Sequence, residues 1–218
     1  MKTNYENWQA FFDATNFTFF RTSQIQKKYI EVVNDNLPAA GKALEIAGGS
    51  GYTSIILADL VRKRKATITY SDLDQGLVDT VHEIFGGVKN LKFRGIDSAT
   101  IPYENQYLDV IFHQGFLEHF TDEQIIAFLR EQSRAAKVVV FDVPNGRRWS
   151  KVQEFGNERF LSHSKWQALV RQAGLNVYKA TARRFANPWK KYVPTVLAES
   201  EWFHQNFGES SIIVCGRI

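Results

Sequence analysis

The sequence predicts an α/β fold in which a mostly parallel sheet is covered by helices on both faces. Two periodic features and one local one carry that expectation. Short apolar runs rich in Val, Ile, Phe or Tyr recur at 42–47, 66–71, 91–94, 108–113 and 137–142. Helical windows near 52–63, 75–85 and 121–134 separate them, and strands alternating with helices at this spacing build a parallel sheet. The first apolar run ends in Ala47-Gly48-Gly49-Ser50-Gly51, a turn of small residues where a helix begins and a ligand can approach the backbone.

Taken in order, the chain starts with two helical patterns, at 4–14 and 22–36, the first with Trp8, Phe11 and Phe12 on one face. Phe17-Thr18-Phe19-Phe20-Arg21 lies between them. The strand at 42–47, the glycine turn and the helix at 52–63 follow. That helix closes on Arg62-Lys63-Arg64-Lys65, a run read as cations favoured by the helix dipole rather than as a phosphate patch. After the fifth strand the pattern loosens through Val143-Pro144-Asn145-Gly146 and resumes as a helix near 163–173, stopped by Gly174. Two last strands, near 175–184 and 210–217, are paired as an antiparallel ribbon. The segment 186–208 between them holds Pro188, Trp189, Trp202, Phe203 and Phe207 and is too long and aromatic for a mere turn. One domain over 1–218 is expected, with a helical cap at 1–38 and a core at 39–218 that carries this insertion.

Composition narrows the function classes. Hydrophobic residues at 44% and charged ones at 23% are ordinary globular values. No apolar run approaches membrane-spanning length and the first residues lack a secretory pattern, so no membrane partner and a cytoplasmic location are expected. The single cysteine, Cys215, sits in an apolar strand, which excludes cysteine-rich metal sites; no metal is expected. A net charge of +4 suits an anionic small-molecule acceptor without demanding one. Two basic clusters interleaved with aromatics, Arg147-Arg148-Trp149 and Arg183, Arg184, Trp189, Lys190, Lys191, leave RNA as a minority reading. The aromatic insertion equally suits a homodimer contact.

The glycine turn is compatible with two nucleoside cofactors. A dinucleotide turn wants G-x-G-x-x-G, and Gly49-Ser50-Gly51-Tyr52-Thr53-Ser54 lacks the third glycine. Leu44-Glu45-Ile46-Ala47-Gly48-Gly49-Ser50-Gly51 instead resembles the first motif of the class I S-adenosylmethionine (SAM) dependent methyltransferases, E-x-G-x-G-x-G, with Ala47 in the first glycine position. Ile68-Thr69-Tyr70-Ser71-Asp72 ends a second strand in a carboxylate where a ribose-binding acid is expected. Gly95-Ile96-Asp97-Ser98, with Pro102 five residues after the acid, resembles the adenine-binding stretch of the same superfamily. Tyr107 to Phe116 followed by Leu117-Glu118-His119 is similar to the fourth strand and loop of its type 11 small-molecule subgroup. Phe160-Leu161-Ser162 and Ala173-Gly174-Leu175 match that subgroup's later helix and strand.

Several motifs in this order over about residues 40–185 are more specific than any one of them. The resemblance implies a Rossmann-like seven-stranded sheet of order 3-2-1-4-5-7-6 with an antiparallel last strand and an N-terminal helical lid. It implies SAM as cofactor. Glu45, Ala47, Gly48, Gly49 and Gly51 would form its loop, Asp72 and Leu73 would meet the ribose, and Asp97 and Ser98 the adenine. The His113 backbone would face the methionine end, Gln114 would bind the cofactor or face the acceptor, and the lid's Arg21 would fork onto the SAM carboxylate or an anionic substrate. Asp72 could alternatively cap the next helix. His119 is the candidate base, since an imidazole titrates near neutrality, with a structural histidine as the other reading. Glu118 is expected to be solvated or structural, while Asp142 and Asn145 lie at the end of the fifth strand. His82, His163 and His204 are expected to be exposed. The function implied is methyl transfer to O or N of a small molecule. An RNA or protein methyltransferase and a non-catalytic SAM-fold binding protein are the alternatives.

Overall fold

Alternate side chains along the central strands point into two separate apolar layers, and this places every helix on one face or the other. A computed structural model describes residues 26–146, 157–182, 205, 208 and 210–217. In chain order the elements are α1 (Lys27–Asn36), β1 (Lys42–Glu45), α2 (Tyr52–Val61), β2 (Thr67–Asp72), α3 (Gln75–Phe85), β3 (Leu91–Gly95), β4 (Leu108–Gln114), α4 (Asp122–Ala135), β5 (Ala136–Pro144), α5 (His163–Gln172), β6 (Asn176–Ala182) and β7 (Ser210–Gly216). Short 3₁₀ turns lie at Arg62–Arg64 and Leu117–His119. The 4–14 helix, Arg21 and its lid, the two basic clusters, His204 and most of the 186–208 insertion lie outside the described residues.

The sheet has seven strands in the order β3-β2-β1-β4-β5-β7-β6, as the resemblance implied. β1 pairs in parallel with β2 and β4, β2 with β3, and β4 with β5. β7 runs antiparallel to both β5 and β6. Ala43, Ile68, Tyr70, Val110, Phe112, Val140, Ile212 and Val214 face α1, α2 and α3. Their neighbours Val139, Phe141, Val143, Ile213 and Cys215 face α4 and α5, around the fully buried Trp166. Chain order reverses between β1 and β4, so the helix-linked halves diverge there and open a crevice above the carboxyl ends of the strands.

Helix starts follow local chemistry. Thr121 and Gln124 form a reciprocal capping box on α4, Ser162 accepts from the Lys165 N–H at α5, and Asp74 caps α3 through the Gly76 and Leu77 amides. Two expectations change. β1 stops at Glu45 rather than 47, because Ala47 turns to φ 51°. His163 does begin α5 but is 8% exposed, not solvated, with Nδ1 2.9 Å from Ser211 Oγ of β7. The helix start is pressed onto the sheet, which no local pattern shows. No described helix is long and apolar enough to cross a membrane.

Candidate functional site

The crevice between β1 and β4 is floored by a turn whose hydrogen bonds form a closed set. The Ile46 N–H continues the strand to Phe112 O at 3.0 Å, and Gly48 N–H donates to Ser71 O of β2 at 2.9 Å. Gly51 N–H then returns to Gly48 O at 2.9 Å, and Ile55 N–H to Gly51 O begins α2. Gly51 sits at φ 73° and Gly49 at φ 52°, where glycine is unstrained.

Gly48 is small for a reason other than the expected one. A Cβ there would lie 2.3 Å from Cε2 of the Tyr70 ring and 3.2 Å from Glu45 Oε2. Its missing side chain makes room for Tyr70 beneath the turn, and the Tyr70 hydroxyl donates to Gly49 O at 2.7 Å. Burial, reinforced by Asp72 and Glu45 nearby, pushes the Tyr70 hydroxyl's pKa up, so it remains a donor.

Ala47 adopts φ 51° without being glycine. An L-residue in that region carries about 1–2 kcal/mol of strain, partly offset by glycine's greater entropy when unfolded. Ala47→Gly is therefore expected to raise stability by about 0.5–1 kcal/mol in urea unfolding. A lower midpoint would show that the alanine methyl makes a compensating contact.

Glu45 is 4% exposed and accepts from Ser54 Oγ at 2.5 Å. Burial is the main cause that pushes its pKa up to about 8, against the lowering effect of the Ser54 hydrogen bonds. Ser71 Oγ donates to the Glu45 carbonyl at 2.5 Å. Glu45 thus braces the turn from below.

Asp72 ends β2 beside the turn. Its Oδ2 accepts from Gly49 N–H at 3.2 Å and its Oδ1 from Asp74 N–H at 3.1 Å. The helix-cap alternative for Asp72 falls to Asp74, which holds the first amides of α3, while Asp72 Oδ2 takes the Gly49 amide of the turn. Burial raises the Asp72 pKa, opposed by the backbone amides. Leu73 follows at 53% exposure.

The third segment is tied to the second. Ile96 N–H donates to Asp72 O at 2.9 Å, which sets exposed Asp97 beside Asp72. Asp97 Oδ1 accepts from Ala99 N–H at 2.8 Å, an Asx turn that holds the carboxylate in place, with half-buried Ser98 inside it.

At the ends of β4 and β5, Gln114 Nε2 donates to Asp142 Oδ2 at 2.6 Å. Asp142 is 1% exposed, and Gly115, at φ 67°, donates its N–H to Asp142 O at 3.1 Å. The His113 side chain turns the other way, into the core. It lies 3.2 Å from Gln132 Oε1 and stacks on Phe141 with centroids 5.7 Å apart. Burial pushes its pKa down to about 4, so the ring is neutral and only its backbone is near the crevice.

Glu118 is buried in the 3₁₀ turn rather than solvated, and its carbonyl accepts from Arg159 N–H at 2.9 Å. His119 Nδ1 lies 2.7 Å from Asn157 Oδ1. Because that oxygen accepts, Nδ1 carries the proton of this hydrogen bond. Arg159 anchors the segment by donating to Phe120 O and Asp122 Oδ1, both at 2.6 Å, and Lys165 joins Asp122 at 2.8 Å. Asn145 is buried and donates to Gln205 O at 2.9 Å.

The fold therefore gathers Glu45, Ala47, Gly48, Gly49, Gly51, Asp72, Leu73, Asp97 and Ser98 around one turn, with Gln114 across the crevice. Tyr70, Ser54, Ser71, Asp74 and Asn157 belong to the same framework and were not singled out from the sequence. Tyr70 stands opposite Glu45 in strand register, a pairing visible only after the sheet forms. The donor set suits a nucleoside: each Asp72 oxygen accepts one backbone amide in this framework and retains lone-pair capacity for a hydroxyl.

This architecture is similar to that of SAM-dependent methyltransferases of known structure. Residues 43–138 match the family model described as a methyltransferase domain.

Among solved structures, the chain is similar to a SAM-dependent methyltransferase from Aquifex aeolicus, at 16% identity and TM-score 0.60 over 92% of this chain and 98% of that one. Magnesium protoporphyrin IX methyltransferase (ChlM) from Synechocystis PCC 6803 with bound SAM matches at 15% identity and TM-score 0.63, over 100% and 92%. The [4+2]-cyclase SpnF matches at 14% and 0.65, over 89% and 81%. Identities this low establish the fold alone, and a cyclase among the neighbours illustrates that the fold does not dictate the reaction. No curated protein sequence matches the chain.

Proposed function

We propose that the protein transfers a methyl group from SAM to O or N of a small-molecule acceptor, at the carboxyl ends of β4 and β5. In this reading Asp72 holds the ribose hydroxyls, Asp97 and the Ser98 backbone meet adenine, and Leu73 lies against the nucleoside. Glu45 and the turn from Ala47 to Gly51 shape the methionine end, together with the His113 backbone, Gln114 and Arg21. SAM supplies a methyl group already activated on a sulfonium, so the protein's work is chiefly orientation. Orientation alone is worth about 7–11 kcal/mol of barrier.

The observation that carries the reading is the Gln114–Asp142 pair. Donation by the Gln114 amide nitrogen turns its carbonyl oxygen away from Asp142, where it can accept from an N–H or O–H acceptor group. His119, oriented through Nδ1 by Asn157, is proposed to remove the acceptor's proton.

Turnover of labelled SAM against fractionated metabolite pools, with an RNA fraction run beside them, tests the reading. Methylation of a small molecule supports it; methylation confined to RNA or protein selects the alternative reading, and SAM binding without any turnover selects a non-catalytic binding protein. With an acceptor in hand, His119→Ala should lose about 10²–10³-fold in kcat with the KM for SAM unchanged. Full activity in that variant would assign His119 a structural role.

A further inference from the structure

A second, basic cleft lies at the opposite edge of the sheet. It measures about 710 Å³ and is lined by Arg130, Arg171 and Arg217, with Asn176 at its wall and Ala173 and Leu175 in its floor. Topology sets its place: Arg171 is in the last turn of α5, Asn176 begins β6 and Arg217 follows β7. β6 runs parallel to β5, so all three mark the amino-terminal edge. The Gln114–Asp142 pair lies roughly 20 Å away, the rise of β5 from Ala136 to Asp142.

The three guanidiniums are not matched by carboxylates. Among the described residues, no acidic side chain lines the cleft. Arg130 donates to Gln172 O at 3.2 Å and Ala173 O at 3.4 Å, which occupies the negative end of α5 and removes its repulsion for an anion. Arg171 donates to a neutral partner, Gln167 Oε1, at 3.1 Å. Arg217 is held by its backbone, whose carbonyl accepts from the Tyr178 hydroxyl, and its guanidinium has no partner among the described residues. Asp109, near the start of β4 on this edge, is committed to Lys137 Nζ at 2.7 Å and Lys42 N–H at 2.9 Å.

We infer that this cleft binds a small ligand carrying two or more phosphate groups, through Arg130, Arg171 and Arg217. A single carboxylate would leave most of the triple positive charge uncompensated, whereas a di- or triphosphate offers forked oxygen pairs to several guanidiniums at once. The site is separate from the cofactor crevice and does not rest on the methyltransferase reading.

Isothermal titration of the full chain with inorganic pyrophosphate tests it, using wild type and the double variant R171A/R217A, two exposed positions. One pyrophosphate is expected to bind wild type at micromolar to submillimolar concentration, and the double variant at least tenfold more weakly, with SAM titrations identical in both. Equal pyrophosphate affinity in the two proteins would place the anion elsewhere, and no binding by wild type at millimolar concentration would overturn the inference. A single-stranded RNA of about 20 nucleotides provides the remaining arm. RNA binding that the double variant loses, without pyrophosphate binding, would overturn the small-ligand assignment in favour of an extended polyanion.

Discussion

Asp72→Ala is expected to weaken SAM binding about 100-fold in isothermal titration. The proposed ribose contact places two hydroxyl donors on one carboxylate, and hydrogen bonds to a charged group contribute roughly 1.5–3 kcal/mol each. Losing about 3 kcal/mol corresponds to that factor. The variant also removes the acceptor for the Gly49 and Asp74 amides, so part of the loss comes from a loosened turn. Asp72→Asn separates the two causes: it keeps an oxygen for Gly49 N–H and loses the charge, and an intermediate, roughly tenfold loss is expected. Wild-type affinity in Asp72→Ala would place the ribose on another group. α3 should remain folded in both variants, because its cap is Asp74.

Glu45→Gln is expected to change the pH dependence of stability. Burial raises the Glu45 pKa from 4.5 to about 8, so the native state keeps its proton where the unfolded chain has already released it. The native state is then the proton-richer one between those values, and stability must fall as pH rises through them. The contribution is fully present below about pH 4.5 and lost as pH passes about 8. At about 1.4 kcal/mol per pH unit the window amounts to roughly 5 kcal/mol as an upper bound. Glutamine keeps an acceptor for Ser54 Oγ and has no proton to release. Urea unfolding at about pH 5, 6.5 and 8 should therefore show a declining wild type and a flatter variant. Parallel slopes would mean that Glu45 is ionised throughout. The raised Asp72 pKa acts with the same sign and persists in the variant as a residual slope.

Much of the fold could be read from spacing. The period-2 apolar runs and the helical windows between them match the observed strands and helices to within a few residues, because each element buries its own face and records that face locally. The strand order was implied by the family resemblance, not by the pattern, and the sheet agrees with it. Legibility stopped where a role depends on what stands across a strand boundary. Gly48 looks like room for a ligand, yet its neighbour is the Tyr70 ring. Asp72 and Asp74 are two carboxylates at one helix start, and only the folded turn shows that Asp74 caps the helix while Asp72 takes the Gly49 amide. His163 reads as a solvated helix start and is buried against Ser211, 48 residues away.

From the sequence alone came the element types, the glycine turn with its upstream Glu45, the acids at 72 and 97, and the cofactor class they suggest. Those are properties of residues close together along the chain, set by backbone geometry and side-chain period. The tertiary structure decided which groups share a space: Tyr70 under the turn, Gln114 on Asp142, His119 on Asn157, and three arginines from α4, α5 and the end of β7 around one cleft. Such meetings depend on strand register and on the crossing of helices over the sheet. These relate residues tens of positions apart and leave no local mark on any one of them.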